Sequence, residues 1–233
     1  MRTHPVIGVL AGCGGAGAST LAALLAGCAD PPSFLLDCDP LGGGIDVLLG
    51  CEQLPGPRWG QVRLLGGELD PAVLLTGLPR WHEVRFLAAD SHRLPDPAAV
   101  GTMVEAAASL GCTVLDLPRA ASNAREVALG LCDLVLLVTP AEVRGVTASA
   151  MAVAALDPER TGLVVRGASR NLSADHIGEL LGLPVLARLP YDPAAVHPDG
   201  LRLRRIRRRS RAAVDELLVG ARQRLRQPDR SAA

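Results

Sequence analysis

Nine residues, Gly12-Cys13-Gly14-Gly15-Ala16-Gly17-Ala18-Ser19-Thr20, constrain this chain more than any other stretch. The apolar run 6–11 before them reads as a buried strand, and the small, leucine-rich run 19–29 after them reads as a helix. Strand, glycine loop and helix in that order make a phosphate-binding loop. Gly12, four residues, Gly17, one residue and Ser19 keep the Walker A spacing. Glycines let the backbone wrap closely and aim N–H groups inward. The helix N-terminus adds partial positive charge where an anion would sit, and Ser19 is placed to ligate magnesium. The lysine expected before that serine is Ala18, and no lysine occurs anywhere: all 24 basic residues are arginines. A glycine-rich turn without a ligand is the competing reading. The coincidence of four glycines, Ser19-Thr20 and the flanking elements favours the phosphate loop.

The rest of the chain repeats this alternation. Strands are read at 33–37, 83–88, 112–117, 133–139, 162–166 and 184–189. Helices are read at 69–76, 97–110, 124–130, 142–155, 174–181 and over most of 201–226. Asp96 and Ser173 are placed as N-caps, with Pro97 at a first helical position. Residues 51–67, rich in glycine and proline and holding Arg58-Trp59, read as a surface loop. The strands are continuous apolar runs, which implies a doubly wound, mostly parallel α/β sheet with helices on both faces. With 233 residues the chain suits one large domain, and only 2% of residues are aromatic, so the core must be Leu, Val and Ala. The reading is a phosphate-loop domain over 1–200, with an arginine-rich helix and tail over 201–233 packed on it. In such sheets the ligand lies beyond the C-terminal strand ends. The glycine loop, Asp39, Asp116 and Tyr191-Asp192 all fall there, which points to a single site.

Basic and acidic residues balance at 24 each, so no global field draws the chain to nucleic acid or membrane. The six cysteines form no CxxC pair and no zinc spacing, so no structural metal is expected, and free thiols suit a reducing cytoplasm. No signal peptide or membrane-spanning run is found. Charge is concentrated between Arg202 and Arg211, which hold seven arginines in ten residues. This stretch offers a weak contact for anionic membrane or for DNA. The other reading is a solvated helix face held on the sheet by Leu201, Ile206, Val214, Leu217 and Leu218.

Three further motifs follow the loop in order: Asp37-Cys38-Asp39-Pro40, Val114-Leu115-Asp116-Leu117-Pro118-Arg119 and Leu189-Pro190-Tyr191-Asp192. With the loop they resemble the MinD/ParA superfamily over nearly the whole chain. The resemblance implies ATP or ADP with Mg²⁺ as cofactor, its phosphates held by residues 12–20. It implies that Asp39 orients the attacking water and that Asp37 lies near the metal. Ser19, Asp39 and Asp116 complete the metal set, Asp116 acting through water. Pro190, Tyr191 and Asp192 pack against adenine. The family's deviant Walker A carries lysines where this chain has Cys13 and Ala18. Its small residue after the Walker B proline is Arg119 here, a substitute charge or a solvated side chain. Its base-reading asparagine falls near Arg166.

Within the superfamily, the lysine-free loop, residues 37–46 and Arg58-Trp59 are similar to actinobacterial CpaE-like and septum-site-determining proteins, related to the TadZ pilus-localisation proteins. Many of these carry an N-terminal receiver-like domain, whereas this chain reads as starting at the first strand. The resemblance implies a degenerate ATPase that hydrolyses little or no ATP. Its role would be to position or scaffold septum-site or Flp/Tad pilus-secretion machinery, in the cytoplasm or at the inner face of the plasma membrane. An active ATP-dependent dimerisation switch, working as a homodimer, is the first alternative. A DNA-associated partition protein is the second.

Overall fold

In the computed structural model the apolar runs form strands and the alanine- and leucine-rich stretches form helices; residues 2–62, 77–90, 94–193, 195–197 and 199–226 are described. The first half contains β1 (Val6–Ala11), α1 (Ala18–Cys28), β2 (Ser33–Asp37), α2 (Ile45–Leu49), a short 3-10 helix (Trp59–Gln61), β3 (Arg80–Trp81), β4 (Val84–Leu87) and α3 (Pro97–Leu110). The second half contains β5 (Cys112–Leu117), α4 (Asn123–Leu131), β6 (Leu134–Pro140), α5 (Val143–Val153), β7 (Thr161–Arg166), α6 (Ala174–Leu181) and β8 (Val185–Leu189). It closes with β9 (Val196–His197), β10 (Gly200–Leu201), a second 3-10 helix (Leu203–Arg205) and α7 (Arg208–Leu225). The helix read at 69–76 lies outside the described residues.

Among the described residues the main sheet has the order β3-β4-β2-β5-β1-β6-β7-β8. Every neighbouring pair is parallel except the β3–β4 hairpin. The central strands β1, β5 and β6 are buried on both faces, which explains their unbroken apolar runs. Alternate side chains of β1 enter opposite cores. Ile7 and Val9 join Leu21 and Leu25 of α1 and Val214 and Leu217 of α7. Val6 and Leu10 join Val100 and Met103 of α3 and Ala128 of α4. Strand β1 lies between β5 and β6, so the chain departs to opposite sides of it, and this switch point is where a doubly wound sheet opens a crevice.

The caps follow the sequence reading. The Ala99 N–H donates to Asp96 Oδ1 at 3.0 Å, and the His176 N–H donates to Ser173 Oγ at 3.2 Å. Two parts differ from it. Residues 51–62 are not simply a surface loop: the Trp59 indole is buried, and Arg58 bridges to Ala88 beside the sheet. The hairpins β3–β4 and β9–β10 went unread because two-residue strands carry no period. The final helix, read as most of 201–226, begins at Arg208, where a carboxylate from another segment caps it (below). Its Val214, Leu217, Leu218 and Ala221 are buried, while Arg204, Arg205, Arg208 and Arg209 are exposed. Among the described residues no helix is long and apolar enough to cross a membrane.

Candidate functional site

The glycine loop leaves β1 at Ala11 and is tied to β6 by the Gly12 N–H, which donates to the Val138 carbonyl at 2.9 Å. A side chain at Gly12 would run into Ser149 of α5. Gly15 and Gly17 have φ values of 75° and 92°, left-handed conformations that favour glycine. The Gly17 carbonyl accepts from the Leu21 N–H at 3.0 Å and starts α1. That helix has no side-chain cap and no acidic residue in its first turn. Among the described residues the N–H groups of Gly14, Gly15 and Gly17 find no acceptor, and Gly14 and Gly15 border open space. Unmet donors at an uncapped helix start form a cradle for an anion. Ala16 and Ala18 are buried beneath it, while Cys13, Ser19 and Thr20 are half-buried.

Beside the cradle, Asp37 and Asp116 sit opposite each other at the ends of β2 and β5. Burial drives the Asp116 carboxyl well above the usual carboxylate range, the neighbouring Asp37 adds to this, and the nearby Ser19 hydroxyl opposes it. Burial likewise raises Asp37 to about 6, against the pull of three backbone donors. Those donors are the N–H groups of Ile45 at 2.9 Å, Asp39 at 3.0 Å and Ala89 at 3.3 Å, and they engage both Asp37 oxygens. Asp39 is half-buried at the rim, where its Oδ1 accepts from the Leu41 N–H at 3.0 Å.

Among the described residues neither Asp37 nor Asp116 pairs with a cationic side chain, and no three His, Cys, Asp or Glu side chains are arranged to hold a metal alone. A hydroxyl beside carboxylates that lack a cation fits Mg²⁺, which keeps waters and phosphate oxygens as most of its ligands. An Mg²⁺ ion placed here would find oxygens on Ser19, Asp116 and Asp39. Asp37, with both oxygens already accepting, shapes the loop around them.

Sequence reasoning did not foresee the support behind this cluster. The Trp59 indole N–H donates to the Asp37 carbonyl at 2.6 Å. Arg58 pairs with the buried Asp46 of α2 and donates to the Ala89 carbonyl, fixing residues 45–46 and 88–89 against Asp37. No local signal marked this support, since both tryptophans, Trp59 and Trp81, follow an arginine.

On the other side of the loop the motif Pro190-Tyr191-Asp192 divides. Pro190 is half-buried and Tyr191 is 65% exposed. Asp192 turns to α7, where its Oδ2 accepts from the Arg207 N–H and the Ser210 hydroxyl, each at 2.8 Å. Its carboxylate is therefore engaged at the helix start. Arg119 is exposed to solvent and donates to none of the described residues of the loop. Arg166, at the end of β7, reaches it instead. Its Nη1 donates to the carbonyls of Gly15 at 3.1 Å and Ala16 at 3.0 Å, and its guanidinium lies 5.4 Å from the Tyr191 ring centroid.

The sheet order, the glycine loop after the central strand and the carboxylates at neighbouring strand ends define a phosphate-loop NTPase fold of the MinD/ParA type. A ParA family ATPase from Chlorobium tepidum superposes with a TM-score of 0.73 at 18% identity, covering 92% of this chain and 98% of its own. The Pyrococcus furiosus cell division ATPase MinD gives 0.72 at 19% identity, covering 96% and 100%. The septum site-determining protein MinD of Pyrococcus horikoshii, solved with Mg-ADP, gives 0.67 at 16% identity, covering 99% and 98%. At these identities the likeness is one of fold. In sequence, uncharacterised proteins from two strains of Mycobacterium tuberculosis are each 39% identical over 209 residues, 86% of this chain. The chain spans 59% of the length of these curated relatives. No family model matches the chain.

Proposed function

We propose that this chain binds ATP or ADP with Mg²⁺ at the glycine loop and acts as a positioning or scaffold protein with little or no hydrolysis. The observation that carries this reading is the set of unmet N–H groups of Gly14, Gly15 and Gly17 at the uncapped start of α1, with the buried carboxyls of Asp37 and Asp116 at neighbouring strand ends. The backbone donors and helix dipole that hold an anion do not depend on lysine. Phosphoryl transfer does depend on charge placed at the transition state, and Cys13 and Ala18 supply none.

Solved relatives of the fold described as cell division and septum site-determining ATPases support a place in septum-site determination. The sequence resemblance to CpaE-like and TadZ proteins supports Flp/Tad pilus machinery as the alternative setting. The homodimer belongs to this proposal, as does contact of the exposed arginines at 204, 205, 208 and 209 with an anionic membrane or DNA. The test is nucleotide affinity with and without Mg²⁺, with turnover on the same preparation. Measurable affinity that Mg²⁺ strengthens, with negligible turnover, is expected. Fast Mg²⁺-dependent hydrolysis abolished by Asp39→Ala would replace the scaffold reading with the active switch, for which the presence of Ser19, Asp39 and Asp116 speaks.

A further inference from the structure

We propose that Arg166 is the phosphate-binding cation of this site, doing from β7 what no residue of the loop itself does; the inference rests on the nucleotide reading above. The loop contains no cationic side chain, and the chain contains no lysine to lend one. Arg166 is 150 residues from Ala16 in sequence, yet its Nη1 donates to both the Gly15 and Ala16 carbonyls. The guanidinium packs so closely on Gly17 that a side chain there would collide with it. Tyr191 braces it from the other side. An arginine stays charged in any protein setting. Among the described residues no carboxylate pairs with Arg166, and its Nη2 and Nε find no acceptor. A braced cation without a counter-ion therefore stands beside backbone donors without acceptors, and an anion completes both. The remaining edge of the fork suits two oxygens of one phosphate.

A rival account makes Arg166 a tie between β7 and the loop and nothing more. Another gives it the nucleotide base, since it stands where the resemblance puts the base-reading residue. The three differ in what a ligand without a base would feel. Calorimetric titration of ATP and of inorganic tripolyphosphate into the wild type, Arg166→Gln and Arg166→Lys separates them, with circular dichroism to confirm folding. The proposal expects Arg166→Gln to weaken both ligands by a similar factor, about tenfold or more, as for a lost hydrogen bond to a charged group. It also expects a shallower salt dependence of binding. Arg166→Lys recovers part of the affinity, because it restores the charge without the fork.

Unchanged tripolyphosphate affinity in Arg166→Gln makes Arg166 a structural tie and overturns the proposal. So does a loss confined to ATP, which would assign Arg166 to the base. If Arg166→Gln fails to fold, Arg166→Lys decides: tripolyphosphate must bind it several-fold more weakly than wild type, and equal binding overturns the proposal. A wild type that binds neither ligand removes the nucleotide reading and this inference together. A wild type that binds, with variants that bind as well, removes the inference alone.

Discussion

Ala18 is 5% exposed and belongs to the core beneath the loop, so the position where the family resemblance expects a lysine is closed by packing as well as by chemistry. A lysine stem there has to displace buried neighbours. Ala18→Lys is expected to lower stability by about 1–3 kcal/mol, the range for overpacked cores, measured by urea unfolding without nucleotide. Unchanged stability would reveal room that the packing does not show. The cysteines make a second residue-scale prediction. Cys38, Cys112 and Cys132 are buried, and burial raises their thiols, Cys112 and Cys132 to about 12. Cys13 is only half-buried, on the open loop. Peptide mapping after brief maleimide treatment of the native protein should find Cys13 labelled ahead of those three, and Mg·ATP should slow that labelling. Equal labelling of all four would mean that the core opens on that timescale.

Much of the site was readable at this scale: the glycine loop, Ser19, Asp37, Asp39 and Asp116 form local patterns at strand ends. Trp59 and Arg166 were not, because their roles come from contacts 22 and 150 residues away, which no local pattern encodes.

Among the elements, the central strands and capped helices followed directly from composition. Strand β2 was read at its observed bounds, and α3 starts where Asp96 and Pro97 place it. The last helix was read as most of 201–226, and it occupies Arg208–Leu225. Arginines alternating with apolar residues carry helical propensity from residue 201 onward, but the fold spends 200–205 on a strand and a 3-10 helix. What starts α7 is Asp192, fifteen residues before Arg207 in sequence. It supplies the cap that the arginine-rich segment lacks, beside a helix dipole that disfavours cations. Asp192→Ala should therefore cost about 1–2 kcal/mol and speed tryptic cleavage between residues 202 and 211. Asp192→Asn should recover part of both. Unchanged cleavage would show that packing alone fixes the start of α7.

For the whole molecule, the parallel sheet was legible because strands covered on both faces must be apolar throughout. Which helix covers which face was not, since α1 and α7 meet on one side although nearly the whole sequence separates them. That side depends on the last helix. Leu217 is almost wholly buried there, and Leu217→Ala is expected to cost about 2–5 kcal/mol in one cooperative unfolding transition. A separate early transition of α7 would mean that residues 208–225 form their own folding unit.

The scarcity of aromatic rings, first a constraint on the core, also gives the protein an optical economy. Its two tryptophans report from the two cores on opposite faces of the sheet. Trp81 packs at the C-terminal end of α1, near Gly27 and Leu203. Trp59 holds the Asp37 carbonyl beside the carboxylate cluster. Emission from a Trp81→Phe protein would come from a single indole bonded to the candidate site. A change in its intensity or wavelength on adding nucleotide would then register rearrangement of that strand end in real time, with no label attached.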